Sequence, residues 1–252
     1  MTLSQIIFNL NVFLLKRLRN ATWLKLLIYR VIWLIPSSVR KTDAIWKELN
    51  MLSKEKNDVR FLNIGANDGL SNDPLTEFIF TKHWKGLLIE PVTPVFNRLK
   101  AIYGKNPNVQ CINAAISDMN SEREFYYIES APELHPGVDQ IGSFSKEHVM
   151  SHKDFFPGCL KHFKTVNIKC KKLQSVLDES DIGNVDLYLI DTEGYDYHII
   201  KQIDFKKTAP SLIIFEHLHL SKKEKKEAFR LLRSNHYYLK IGKANTIAKL
   251  KS

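Results

Sequence analysis

From residue 59 onward the chain alternates short apolar runs with segments of helical spacing. Val59 to Ile64 is a run that ends at Gly65, Gly86 to Glu90 is stopped by Pro91, and Val109 to Ile116 forms a third. Between the last two, Pro94 to Tyr103 carries its apolar residues one helical turn apart. Val185 to Ile190 reads as a central strand and Ser211 to Phe215 as its neighbour. Residues 222 to 234 read as a basic helix, and Tyr237–Ile241 with Thr246–Leu250 as a closing hairpin. Short continuous apolar runs fit strands buried on both faces. Strands separated by helices imply crossover connections, hence a parallel sheet with helices on both sides. Residues 119 to 160 break the pattern. Glu124 to Ile128 suits a strand, but Pro132, Pro136, Gly137, Gly142 and Pro157 follow, and a long irregular stretch of the lid or binding-loop kind is expected there.

The first residues differ. Residues 5 to 35 are rich in Ile, Leu, Phe and Trp, interrupted by single cations, with Ile6, Leu10, Phe13, Leu14 and Leu18 at helical spacing and Leu24, Leu27, Ile28, Val31 and Ile35 likewise. The charge-free stretch before Lys16 is too short, and too polar at Asn9 and Asn11, to span a bilayer. A basic start and a small-residue cleavage site, the marks of a secretory signal, are not seen. Trp23 and Trp33 among basic residues suit helices lying on an anionic membrane, and helices packed as a cap on the remaining domain are the alternative. Pro36-Ser37-Ser38 marks the expected boundary. The division is then a basic, apolar helical segment over residues 1–42 and one α/β domain over residues 43–252.

With 252 residues, 44% hydrophobic and 25% charged, the chain can bury one full α/β core, and the composition excludes a disordered or fibrous protein. Cys111, Cys159 and Cys170 are odd in number and far apart, which argues against a disulfide framework or a zinc site and fits a reducing compartment. The formal net charge of +10 is uneven. Residues 1 to 42 hold Lys16, Arg17, Arg19, Lys25, Arg30, Arg40 and Lys41 and no acid, and residues 221 to 252 hold ten Lys or Arg against Glu224 and Glu227. Basic ends can meet anionic lipid, nucleic acid or an acidic glycan, or form solvated helix faces. The expected location is cytoplasmic, peripheral at the inner face of a membrane.

The turn Gly65-Ala66-Asn67-Asp68-Gly69 follows the first strand. Glycines there allow backbone angles closed to other residues and let a ligand approach the main chain. Their spacing is not the GxGxxG of a dinucleotide site, and no Lys-Ser or Lys-Thr follows as in a triphosphate loop. Glu90, at the end of the second strand, can accept from both hydroxyls of a ribose, and Asp118, after the third, can accept from an adenine amino group. Three strand ends on one rim therefore outline a nucleoside pocket.

These residues carry a resemblance. Phe61 to Gly69, Ile89-Glu90-Pro91, Asn113 to Asp118 and Ile190-Asp191-Thr192-Glu193-Gly194-Tyr195-Asp196 occur in an order that resembles the FkbM methyltransferases, over roughly residues 58 to 218. The resemblance implies a class I, Rossmann-like fold: a three-layer sandwich around a mostly parallel seven-stranded sheet with an antiparallel C-terminal strand, here preceded by N-terminal helices. It implies S-adenosyl-L-methionine as cofactor and O-methylation, often of glycans or natural products. Carried over, Gly65, Asn67, Gly69, Glu90 and Asp118 would bind the cofactor. Asn63 stands where the family often has Asp, and Thr192 where it often has a small aliphatic residue. Both leave the cofactor assignment standing.

Methyl transfer to a hydroxyl needs the acceptor oxygen held in line and its proton removed. Asp191, Glu193 and His217 follow the two central strands and are the expected catalytic groups, with Glu193 or His217 as base. The competing reading of Asp191-Thr192-Glu193-Gly194 is a helix cap. A divalent metal on Asp191, Glu193 and His217 lacks a clear third carboxylate, so no metal is predicted. Ser143, Lys146 and His148 in the irregular stretch are the expected acceptor contacts. The expected partner is a hydroxyl-bearing glycan or small molecule, with an anionic membrane surface met through residues 5–35. Another small molecule, a lipid or a nucleic acid as acceptor, or a non-catalytic membrane-bound module, are the alternatives. Nucleic acid is disfavoured because no Pro-Pro-Tyr/Trp motif follows the central strand.

Overall fold

The computed structural model describes residues 21–34 and 43–251. The sheet is built outward from β1 (Arg60–Ile64), whose last four residues are buried. It pairs in parallel with β2 (Lys85–Ile89) on one side and β8 (Leu187–Ile190) on the other. Beyond β2 lies β3 (Val109–Ile112), and beyond β8 lies β9 (Leu212–Glu216), both parallel to their neighbours. The last two strands, β10 (Tyr237–Ile241) and β11 (Asn245–Leu250), run antiparallel, with β11 against β9. Among the described residues the sheet therefore has seven strands in the order β3-β2-β1-β8-β9-β11-β10. Strand order reverses between β1 and β8, and ligands of open α/β sheets bind outside the carboxyl ends at such a point.

Alternate residues face opposite layers. Leu62, Ile64, Tyr188 and Ile190 join one core cluster, while Phe61, Leu88, Leu187 and Leu189 join a second on the other face. The second cluster takes in Leu49 and Leu52 of α2 (Ala44–Glu55), whose N-cap Asp43 accepts from Trp46 N, and Leu99 and Tyr103 of α4 (Thr93–Tyr103). Phe78 and Ile79 come from α3 (Thr76–Lys82). The first cluster is closed by Ala228 and Leu232 of the basic helix α8 (Lys222–Ser234), which begins in a Ser221–Glu224 capping box.

The first described helix, α1 (Thr22–Trp33), packs on this domain against α4. Lys25 and Ile32 are buried, and Trp33 stacks on Phe80 at 6.0 Å. The opposite face is open: Trp23, Leu27 and Val31 are exposed, as is Leu34 just beyond the helix. The cap reading thus holds for one face of this helix, while residues 1–20 and 35–42 lie outside the described residues.

Two expectations change. The run Val109 to Ile116 is not one strand. Asn113 Nδ2 donates to the carbonyls of Glu90 (2.8 Å) and Pro91 (3.0 Å), which turns the chain out of the main sheet after Ile112. Its continuation, β4 (Ala115–Ile116), joins a separate four-stranded sheet in the order β4-β7-β5-β6. Two of its strands, β5 and β6, lie in the stretch read as irregular, and β7 just beyond it. β5 (Ser121–Ile128) pairs along its whole length with β7 (Phe163–Lys171), and β6 (Gly142–Ser143) adds to its edge. Only Glu124 to Ile128 was legible as a strand.

Candidate active site

The turn after β1 folds back on β2: the Gly65 and Ala66 N–H groups both donate to the Ile89 carbonyl at 3.0 Å. Gly65 has φ +85°, and a Cβ there would lie 1.8 Å from the Asp191 carbonyl oxygen. The turn and the loop after β8 therefore touch main chain to main chain, which only glycine permits. Asn67, also left-handed at φ 49°, donates its N–H to Glu90 Oε2 at 3.0 Å, and Glu90 Oε1 accepts from Val92 N at 2.8 Å. Burial pushes the Glu90 carboxyl up to about 7, against the lowering effect of these two donors and of Arg98.

Gly69 does a different job. A Cβ there would lie 2.4 Å from Leu99 Cδ1 and 2.6 Å from the Tyr103 ring, and its carbonyl accepts from Tyr103 Oη (2.6 Å) and Thr76 Oγ1 (2.7 Å). It packs the turn onto α4 and does not line the cleft. Asp68, between the two glycines, accepts from Leu70 N, Ser71 N, Ser71 Oγ and Lys25 Nζ. Burial raises its carboxyl, but Lys25 and the donors outweigh that and hold it below its ordinary value.

The cleft has two unlike halves. One is apolar, walled by Ile89, Val92, Ile116, Phe125 and Phe144 around Glu90. The other is polar, with Asn63, Ser71, Asp73, Glu216 and Asn245. Gly65, Asn67, Gln140, Asp191 and Glu193 belong to both. These residues fit S-adenosylmethionine: an apolar slot for the base, a buried carboxylate for ribose hydroxyls, and carboxylates for a cationic amino acid. Asp73 accepts from Asn63 Nδ2 at 2.8 Å, and burial pushes it up to about 6.

Where the halves meet, the loop after β8 sets out acids and histidines. Glu193 (φ 52°) and Gly194 (φ 101°) are both left-handed. The loop does not use an acid as a helix cap, since α7 (Asp196–Ile200) starts at Tyr195 with no side-chain cap. Instead Asp196, fully buried, accepts from Thr192 Oγ1 (2.8 Å) and from Glu216 N (3.1 Å), pinning the loop to the end of β9. Ser143 Oγ donates to the Glu193 carbonyl at 3.0 Å. Next to it Phe144 packs on Tyr195 at 5.0 Å and on Phe125 edge-on, with the Arg123 guanidinium 4.2 Å over the Phe144 ring. His148 Nε2 is 2.8 Å from Glu193 Oε2, and His219 Nε2 is 3.3 Å from the same oxygen. His148 lies on α5 (Lys146–Ser151), whose N-cap Ser145 accepts from His148 N. Burial raises the Asp191 carboxyl, helped by Glu193 and Asp73, and it raises Glu216, helped by Asp191, Glu193 and Asp196. Burial lowers the His219 imidazole, against the pull of Glu193.

Of the residues expected from sequence, Gly65, Asn67, Glu90, Asp191 and Glu193 line the cleft, Ser143 supports Glu193, and His148 bonds to it. Four stand elsewhere. Gly69 lies beneath the turn. Asp118 is exposed, bonded to Ser117 Oγ and 3.7 Å from Arg123, because the chain has already left the main sheet. Lys146 is exposed at the start of α5. His217 is buried with Nδ1 2.9 Å from Thr246 Oγ1, on the side of β11. His219, two residues on, takes the place expected of His217. Glu216, Asp196 and Asp73 also belong to the site or its support and were not assigned from sequence. The string Glu216-His217-Leu218-His219 held the signal, but the strand ends at Glu216 and the turn beyond it decides which imidazole faces the cleft.

This sheet order, with its carboxylate-lined cleft at the switch point, defines a class I, Rossmann-like methyltransferase fold. The methyltransferase FkbM domain matches residues 63–239, and the chain belongs to that family. It is accordingly an S-adenosylmethionine-dependent methyltransferase. No curated protein matches the chain in sequence. Among solved structures, methyltransferase FkbM from Methylobacillus flagellatus KT is 10% identical with a TM-score of 0.48, over 77% of this chain and 44% of that one. This chain thus spans less than half the length of that relative. A putative caffeoyl-CoA O-methyltransferase from Staphylococcus aureus is 11% identical, with a TM-score of 0.47 over 90% of this chain and 92% of that one. The SAH-bound methyltransferase PaMTH1 from Podospora anserina is 10% identical, with a TM-score of 0.45 over 92% and 88%.

Proposed function

We propose that the acceptor is a hydroxyl of a sugar or glycan, and that the enzyme works at an anionic membrane surface on the cytoplasmic side. The observation that carries the acceptor reading is the Glu193 carboxylate held between His148 and His219 where the two halves of the cleft meet. S-adenosylmethionine supplies a methyl carbon made electrophilic by its sulfonium. The protein's part is positioning, exclusion of water and removal of one proton. Glu90 and Asn67 hold the nucleoside side, and Phe125 and Phe144 cover the apolar half. Glu193 takes the hydroxyl proton, and the imidazoles spread the charge. Gln140, His148 and Glu193 offer the mixed donors and acceptors that a polyhydroxyl ligand needs.

Support for the membrane reading is the exposed face of α1, with Trp23, Leu27, Val31 and Leu34, within residues 1–42, which hold seven cations and no acid, Lys25 among them being taken up by Asp68. Among the described residues no helix is long and apolar enough to cross a membrane, so contact would be peripheral.

The test is methyl-labelled S-adenosylmethionine offered with free oligosaccharides, lipid-linked glycans, phenols and RNA. Label in an alkali-stable O-methyl ether on a glycan is expected, and Glu193→Gln should abolish most of it while still binding cofactor. Label confined to RNA or to phenols would remove the sugar reading.

A further inference from the structure

We propose that His148, His219 and Glu193 hold a divalent transition-metal ion of the zinc type, on which the acceptor hydroxyl is placed. The inference rests on the acceptor reading above and shares its site, but with the ion bound Glu193 is its ligand, and the ion rather than Glu193 activates the hydroxyl. The metal set considered from sequence included His217, which the fold turns away. His219 replaces it and brings a second imidazole, His148, with it.

The geometry fits an ion. A ring nitrogen of each histidine and a carboxylate oxygen of Glu193 all lie within 4.8 Å of one another. Two of the separations are 2.8 and 3.3 Å. Zinc–nitrogen and zinc–oxygen bonds are about 2.0–2.2 Å, so ligands of one ion sit roughly 3.0–3.5 Å apart at octahedral or tetrahedral angles. A small opening of the triad therefore admits the metal. Three separate elements converge on it: α5, the loop after β8 and the loop after β9. Two of the three are held from behind, His148 by the Ser145 cap and Glu193 by Ser143 through its carbonyl.

The surroundings suit a cation. Asp191, Glu193 and Glu216 also have oxygens within 4.8 Å of one another. Glu216 Oε2 is buried with no hydrogen-bond partner, 3.7 Å from His219 Nε2. Three carboxylates so close together, one of them with a buried oxygen that has no hydrogen-bond partner, repel one another and favour a positive charge among them. Two imidazoles with one carboxylate select zinc, cobalt, nickel or iron over magnesium and calcium. Three protein ligands leave positions open, as in catalytic metal sites, and a hydroxyl on such an ion loses its proton near neutral pH. The acceptor O–H proton then passes to water, its oxygen bonds to the methyl carbon, and the electron pair of the broken C–S bond stays on sulfur.

The test is titration of the untagged, full-length protein with Co2+. A visible d–d band saturating at about one equivalent is expected, displaced by Zn2+. His148→Gln and His219→Gln should each weaken Co2+ binding at least about tenfold, and the double variant should lose the band. His152→Gln, beside the cluster but outside the triad, should keep it. Cofactor binding checks that each variant is folded, and if the double variant fails to fold, the single variants decide. A missing band, or a band that survives the triad substitutions, overturns the proposal. Undiminished glycan methylation by chelator-stripped protein overturns it too, leaving the acceptor reading intact. Cobalt binding without glycan methylation has the opposite meaning.

Discussion

Lys25 Nζ lies 3.3 Å from Asp68 Oδ2 with both side chains almost fully buried, so the N-terminal helix is bonded to the middle of the cofactor turn. The apolar segment that sequence sets apart is a structural brace for the motif that sequence picks out. Removing one partner of a buried pair strands the other charge, at roughly 3 kcal/mol or more. Lys25→Ala should therefore lower the unfolding free energy measured in urea by that amount and weaken S-adenosylmethionine binding. Unchanged stability would mean that α1 does not brace the turn.

Glu90 links the cofactor pocket to pH. Its carboxyl is raised to about 7 from an ordinary 4.5, so the folded protein binds more protons than the unfolded chain between those values. Stability then falls as pH rises through that window, by about 3 kcal/mol in all. Glu90→Gln has no such group, and its stability relative to wild type should improve by about that much from pH 5 to pH 8. Ribose hydroxyls favour the charged carboxylate, so cofactor affinity of the wild type should rise about tenfold between about pH 6 and pH 8. Calorimetry across that range checks it, and a flat profile would remove Glu90 from the ribose site.

The two glycines of the turn should fail differently. Gly65→Ala drives a methyl group into the Asp191 main chain, so cofactor binding should be lost along with much of the stability. Gly69→Ala meets the buried side chains of Leu99 and Tyr103 rather than main chain. It should be destabilised through its left-handed backbone and crowding, with more cofactor binding retained. Thermal melts with and without cofactor separate the two outcomes.

The two histidines after β9 should also part. His219→Asn removes a partner of Glu193 and should lower turnover by at least about tenfold with cofactor binding kept. His217→Asn removes a buried hydrogen bond to Thr246, which should cost about 1–2 kcal/mol of stability and leave turnover within about twofold. The reverse pattern would restore the sequence-based choice of His217.

For the membrane reading, Trp23→Ser with Leu27→Ser removes exposed apolar surface and no core contact. Co-sedimentation with anionic vesicles should drop several-fold while the melting temperature holds. Equal recovery of variant and wild type would end that reading.

The main sheet was legible because its strands are continuous apolar runs, buried on both faces. The glycine turn and the Asp191–Glu193 loop were legible because they close two such runs. Asp118 was misplaced for a traceable reason: Val109 to Ile116 has no sequence break, and the bend is imposed by Asn113 bonding to carbonyls of the Glu90–Pro91 corner. The small sheet was missed because β5 and β7 pair across a long intervening segment. The alternation of Val166, Ile168 and Cys170 with Asn167, Lys169 and Lys171 was the local trace of β7, as Glu124 to Ile128 was of β5. Asp196 and Glu216 became visible only when two loops from different strands were seen to converge.

The Ser143–Glu193 bond and the Phe144–Tyr195 contact join the small sheet to the loop that borders the cofactor cleft. The acceptor side and the donor side therefore share one mechanical element. An acceptor that shifts this element changes the affinity for the cofactor, and linkage requires the cofactor to change acceptor affinity by the same factor. On the proposed acceptor reading, a single serine hydroxyl and a pair of rings would couple the two ligands, whichever arrives first.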